Sequence, residues 1–201
     1  MNKKISELLE EIRQREQELG QLLKQHEDNL SYSIDGTKIR FEKAVKRAHR
    51  RMKTGIIKWL RESEFRNVAS APVIYLMIIP FSLLDITISV YQHLCFGLYR
   101  IPKVRRGDYI IVDRHHLSYL NIIEKINCIY CGYVSGLLTY SREIVARTEQ
   151  YWCPIKHARK VVNPHRQYAD FARYGDSEDY VEHVKVMRTS VREHERESGR
   201  E

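Results

Sequence analysis

Residues 68–99 read VASAPVIYLMIIPFSLLDITISVYQHLCFGLY, and the rest of the chain is organised around them. From Asn67 to Tyr99 there is no lysine or arginine. Asp85 is the one formal charge, with His93 as a second titratable group. About 20 apolar residues cross a bilayer core, so the run is long enough to span once with tilt. Pro80 sits mid-run, where a proline kinks or splits a helix. Asp85 follows five residues later and is costly in lipid unless it is paired. Both flanks are basic, and the cytoplasmic bias of Lys and Arg puts both ends on one side. The sequence therefore favours a re-entrant hairpin of two short arms over a single span, with a buried soluble helix pair as the third arrangement. Asp85 and His93, two helical turns apart, read as a pair within that hairpin. The run lies too far from the N-terminus for a signal peptide.

Charge sharpens this picture. The 201 residues carry a formal net charge of +8. Between Lys38 and Arg66 there are eleven Lys/Arg and three acids, so that stretch alone accounts for the excess. Within residues 38–62, Ile39, Val45, Ala48, Met52, Ile56 and Trp59/Leu60 recur at helical spacing, and Lys43, Lys46, Arg47, Arg50, Arg51, Lys53 and Lys58 fill the other positions. A basic amphipathic helix beside an apolar run most simply lies on an anionic membrane surface. Nucleic acid is the rival partner for such a patch; it is set aside because the apolar run follows directly.

Before this, residues 3–30 place Ile5, Leu8/Leu9, Ile12, Leu19, Leu22/Leu23 and Leu30 at heptad-like spacing, interrupted by Arg15/Glu16 and His26. That pattern predicts a short coiled coil or helical arm offering a homodimer or protein-partner surface. Asp35-Gly36 marks a break.

Downstream, Asp108 to Asp113 reads as a short edge strand. Leu117 to Cys131 reads as a helix, Gly132 and Gly136 as a break, and Leu137 to Gln150 as a second helix forming a hairpin with it. Val181, Val184, Met187 and Val191 mark a weak amphipathic helix near a polar C-terminus. The fold class is mostly α, in five divisions: a helical or coiled-coil arm (1–36), a basic amphipathic helix (37–66), a membrane-inserted segment (67–99), a small helical domain with a Cys/His cluster (100–175) and a polar C-terminal helix or tail (176–201).

Cys128, Cys131, Cys153 and His157 form the pattern C-x2-C-x21-C-x3-H. Two chelating pairs at such spacing suit a tetrahedral ion, and thiolates with one imidazole are typical of structural zinc. Iron or an iron–sulfur centre is the alternative cofactor. A redox-active Cys128/Cys131 pair is another use of these thiols. Pro154 suits the first position of a helix, with Cys153 as its cap and His157 one turn on. Glu124, Glu143, Glu149 and His116 are candidates for extra ligands or for partners orienting His157. The same glutamates also read as surface charges or helix-pair ion pairs, Glu143 with Arg147 four residues on. Cys95 reads as a small buried hydrophobe.

The string EKINCIYC at 124–131, with Tyr140 and EIVARTEQYWCPIKHA at 143–158, resembles a family of bacterial membrane-associated proteins that has no assigned activity. The likeness covers about residues 105–180. It implies a bacterial inner-membrane location and transfers no catalytic role. The Cys/His domain is expected on the cytoplasmic side. No glycine-rich phosphate loop, G-x-S-x-G, H-E-x-x-H or dinucleotide fingerprint occurs. The function expected is a membrane-anchored, zinc-type metal-binding protein of structural or adaptor kind. Its alternatives are a membrane-associated iron or iron–sulfur redox enzyme and a thiol–disulfide protein. The balance leans away from an enzyme.

Overall fold

A computed structural model describes residues 3–28, 32–35, 38–41, 43–53 and 55–198. The chain is mostly helical. In order it forms α1 (Lys3–Asp28), β1 (Tyr32–Asp35), β2 (Lys38–Phe41), α2 (Lys43–Arg51), α3 (Ile56–Glu62), α4 (Phe65–Leu76) and α5 (Ile78–Tyr91). A π-helical turn (Gln92–Phe96) and α6 (Gly97–Tyr99) continue α5. Then come α7 (Arg106–Tyr109), a 3-10 turn (Arg114–His116), α8 (Ile122–Trp152), a second 3-10 turn (Arg166–Asp170) and α9 (Tyr180–Ser198).

The arm helix α1 covers residues 3–28 of the predicted 3–30, and residues 29 and 30 lie outside the described residues. The basic stretch departs from expectation. β1 and β2 pair antiparallel, with Ile34 opposite Ile39 and Tyr32 opposite Phe41, so the helix predicted from residue 38 is a strand there. The rest divides into α2 and α3, because Gly55 takes an extended conformation (φ −64°, ψ 145°) and restarts the helix.

The apolar run forms one rod, not a hairpin. Phe65–Tyr99 is a helix of 35 residues, long and apolar enough to cross a membrane. At 1.5 Å per residue it is about 50 Å long. Pro80 has no N–H to donate back along the helix, and the ladder slips at Met77. Met77 nevertheless stays right-handed helical (φ −62°, ψ −12°), and its carbonyl accepts from Phe81. Pro80 is the third residue of α5, where amides lack intrahelical partners in any case. The proline therefore interrupts the ladder without turning the chain back.

α8 likewise runs unbroken through both glycines, against the predicted break. It opens with a capping box: Glu124 N–H donates to Asn121 Oδ1 (3.0 Å), and Asn121 N–H donates to Glu124 Oε2 (2.8 Å). Rod and α8 lie side by side, both running in the same direction. Successive contacts are Tyr75 with Asn127, Asp85 with Tyr133, Gln92 with Tyr140, and Tyr99 with Tyr151.

The return from Tyr99 to the start of α8, residues 101–121, runs back along both helices as a strap. The edge strand predicted at 108–113 is absent; α7 and a non-helical stretch occupy it. Gly132 and Gly136 make room for this strap. A Cβ on Gly136 would lie 2.5 Å from the Tyr109 carbonyl oxygen and 2.8 Å from Ile110 Cα, and one on Gly132 would lie 3.0 Å from the Ile111 carbonyl oxygen. Two glycines four apart open a groove on one helix face that takes another backbone.

One core joins the pieces. Phe96 of the rod, Ile101 and Val104 of the strap, Leu137, Tyr140, Ile144 and Tyr151 of α8, and Val191 of α9 pack together. α9 buries Val184, Met187 and Val191, as its pattern predicts, but leaves Val181 exposed. Arg192 Nε donates to the Tyr99 carbonyl (3.0 Å), and its Nη2 to the Tyr151 hydroxyl (3.1 Å), so α9 clamps the ends of rod and α8 together.

Candidate membrane interface

The rod has two sides of opposite character. Leu76, Ile79, Leu83, Ile86, Val90, Leu94 and Leu98 recur every three or four residues, and each is more than half exposed. At about 100° per residue these form one stripe. The two polar side chains beside the stripe hydrogen-bond to the rod's own carbonyls. Thr87 Oγ1 donates to Leu83 and Leu84 (2.9 and 3.1 Å), and His93 Nδ1 bonds to Ser89 (2.8 Å). These bonds stay within the rod's own backbone.

On the other side, Tyr75, Asp85, Tyr91 and Gln92 find partners in α8 or the strap. Two residues on from Leu83, Asp85 points the opposite way. Arg106 donates to both its oxygens, Nε to Oδ1 at 3.1 Å and Nη2 to Oδ2 at 2.7 Å, and the Tyr133 hydroxyl donates to Oδ2 at 3.0 Å. The expected Asp85–His93 pair is not formed. Two residues on from Val90, Gln92 is buried. Its Nε2 donates to Tyr140 Oη (2.9 Å) and the Val104 carbonyl (3.3 Å), and its Oε1 accepts from the Val104 N–H (2.6 Å). Tyr91 and Thr148 share a hydroxyl hydrogen bond of 2.9 Å, and the Tyr75 hydroxyl donates to Asn127 Oδ1. Sequence reasoning missed Arg106 and Gln92. The signal for the first was present: an acid in an apolar run needs a cation, and Arg106 is among the nearest downstream.

The Cys/His cluster is not assembled. Cys128 and Cys131 lie within α8, and Cys153 is its C-cap. Twenty-one residues of helix separate Cys131 from Cys153, about 33 Å of axial rise, whereas Zn–S bonds are about 2.3 Å. Among the described residues no group of three or more His, Cys, Asp or Glu is placed to hold a metal ion. All four cysteines are free. Cys95 is half-buried, as a small hydrophobe would be.

The local expectation for Cys153 is reversed. It ends one helix instead of capping the next, and residues 153–160 are not helical. Its thiol is pushed up by burial and by the nearby Glu149 carboxylate. The exposed His157 uses its backbone N–H to reach Tyr168 Oη (2.7 Å) and stacks its ring on Tyr168.

The remaining predicted site residues have structural partners. Glu124 belongs to the capping box. Glu143 accepts from Arg147 Nε (2.8 Å) and from Gln167, while Arg147 Nη1 reaches the Pro102 carbonyl (2.8 Å). Glu149 accepts from His165 (2.9 Å), and His116 packs on His115. Arg147, Gln150, Arg166, Gln167, Asp170 and Ser190 line a polar cavity of about 160 Å³. Nearby, burial and Glu143 raise the Tyr109 phenol above its ordinary range.

The basic residues Lys46, Arg47, Arg50, Arg51, Lys53 and Lys58 are exposed; the Lys43 side chain lies outside the described residues. On α1, Leu8, Ile12, Leu19, Leu22 and Leu23 are each more than half exposed.

No family model, curated protein or solved structure matches the chain.

Proposed function

We propose that the protein is a membrane-attached structural or adaptor protein. The rod Phe65–Tyr99 holds it to the bilayer, and the basic residues of α2 and α3 add attraction to an anionic lipid surface. The observation that carries this reading is the unbroken outward stripe from Leu76 to Leu98, exposed along its whole length. Contiguous exposed apolar surface of this extent marks a membrane or protein contact. The basic residues upstream, and Arg100 and Lys103 downstream, favour lipid. The inner membrane of a bacterium is the compartment the resemblance implies, with the core of 100–201 on the cytoplasmic side.

The second element is α1, whose exposed Leu8, Ile12, Leu19 and Leu22 fall at steps of four, seven and three residues, the longest bridged by Arg15. We assign this seam to a second copy of the chain, because a narrow two-in-seven stripe is the pattern of a coiled coil. Arg15 and His26 on the same seam weaken it and limit it to a modest association.

Membrane extraction tests the anchor. The full-length protein is expected to stay with the membrane pellet through high salt and alkaline carbonate, and to be released by detergent. Release by salt alone overturns the rod as anchor.

A further inference from the structure

We propose that the rod lies flat in one leaflet of an anionic bilayer, stripe inward, with the strap facing water, and that it does not cross. This rests on the reading that the rod binds lipid.

Three observations point to it. Asp85 stands three residues past the rod's midpoint, about 5 Å along the axis. Arg106 of the strap grips it there. Arg105 and Asp108 beside it are exposed, and Arg106 is half exposed. A crossing rod would hold all three strap charges near the centre of the hydrocarbon, where charged side chains are rare and face a protein interior or a water-filled cavity. A flat rod holds them on its far side, since Asp85 and Gln92 point away from the stripe.

Second, both ends of the rod are basic: Lys58 and Arg61 before it with Arg66 in its first turn, and Arg100, Lys103 and Arg105 after it. Both ends therefore suit the same anionic surface. A hairpin would satisfy this too, but the chain does not turn back at Pro80.

Third, α8 accompanies the rod from Tyr75 to Tyr99 and carries Glu124 and Lys125 at the Tyr75 end, and Arg142, Glu143 and Arg147 towards the other. A rod crossing the bilayer would take these charged side chains with it. A rod lying flat holds them at the level of the headgroups or above. The occupant of the stripe is thus a single anionic leaflet, recognised by apolar insertion between two basic ends.

The test uses full-length protein on vesicles of phosphatidylcholine and phosphatidylglycerol in equal parts. Single cysteines are introduced by Leu76→Cys, Leu83→Cys, Val90→Cys, Leu98→Cys and Arg105→Cys, with the native cysteines replaced by serine. Each carries an environment-sensitive fluorophore, quenched by lipids brominated at shallow or deep positions. The expected result is one shallow depth shared by the four stripe positions, with Arg105→Cys unquenched and open to an aqueous quencher. A gradient deepest at Leu83→Cys, with Arg105→Cys equally deep, overturns the flat orientation but leaves membrane attachment standing. Failure to float with the vesicles overturns the attachment itself. Polarised infrared spectroscopy of the unmodified protein in oriented bilayers gives the same decision without variants. Helices in the membrane plane support the proposal, and helices along its normal refute it.

Discussion

Arg106 holds Asp85 through both edges of its guanidinium, at 3.1 and 2.7 Å, and so ties the strap to the one acid of the apolar rod. The Tyr133 hydroxyl completes the carboxylate's coordination from α8. Three separate segments meet at one side chain. Arg106→Ala strands the carboxylate against apolar surroundings and is expected to destabilise the fold by about 1–2 kcal/mol, the range for a hydrogen bond to a charged group in a partly exposed pair. That corresponds to a fall of a few degrees in melting temperature for a chain of this size. Adding Asp85→Asn to Arg106→Ala should recover part of the loss. A double variant as impaired as the sum of the singles would show that the pair is not coupled.

Gly136→Ala tests the strap groove. Alanine is the better helix former by about 1 kcal/mol, yet its Cβ would stand 2.5 Å from the backbone oxygen of Tyr109, which cannot swing aside like a flexible side chain. The expected net effect is a loss of about 1–3 kcal/mol from forced strap displacement. Gly20→Ala in α1 meets nothing within 4 Å and should gain about 1 kcal/mol of helix stability. Denaturant unfolding of both variants checks the opposite signs.

Gln92 is the buried polar link between rod, strap and α8. Gln92→Leu keeps the volume but leaves the Val104 N–H without its acceptor. A loss of about 1–3 kcal/mol is expected, the cost of an orphaned buried donor. A neutral result would mean that water replaces the amide.

The free thiols make a chemical prediction. With no site assembled around Cys128, Cys131, Cys153 and His157, exhaustive chelation should leave the helical circular dichroism and the melting temperature unchanged. At Cys153 the fold favours the neutral thiol, so alkylation should need a higher pH than for a small free thiol. Because that pKa is raised, its contribution to stability is complete below the ordinary thiol pKa and is lost as pH climbs through the raised value. Alkylation rates against pH, read at Cys153 by peptide mapping, check the direction.

Much of this architecture was legible and some of it was not, for identifiable reasons. The α1 heptads, the rod's composition and the buried Val184, Met187 and Val191 of α9 could be read because each is a local periodicity. Pro80 misled because a proline need not turn a helix back: Pro72 lies inside α4 and Pro80 in the first turn of α5, and the rod continues through both. Gly132 and Gly136 misled for the same kind of reason: a helix break and a groove for a passing backbone use the same residue. The hairpin β1–β2 was signalled by Asp35-Gly36 between Ile34 and Ile39, but the helical period of the basic residues was carried too far upstream. The Cys/His pattern failed because motif spacing says nothing of the backbone between the pairs. Here that backbone is a rigid helix about 33 Å long.

Charge reversal at Lys46, Arg47, Arg50 and Arg51 to glutamate isolates the electrostatic part of membrane attachment. At about 1 kcal/mol for each basic residue near an anionic surface, partitioning onto phosphatidylglycerol vesicles should fall by at least about a hundredfold. Neutral vesicles should bind wild type and variant alike, and added salt should narrow the difference on anionic ones.

The central claim is that the outward stripe of Phe65–Tyr99 meets lipid, and Leu83→Glu with Val90→Glu addresses it most directly. Both side chains are more than half exposed, so the core around Phe96, Leu137 and Tyr140 stays intact. Flotation of the full-length double variant with anionic vesicles should be lost while its melting temperature in detergent is unchanged. Flotation equal to the wild type would contradict the account.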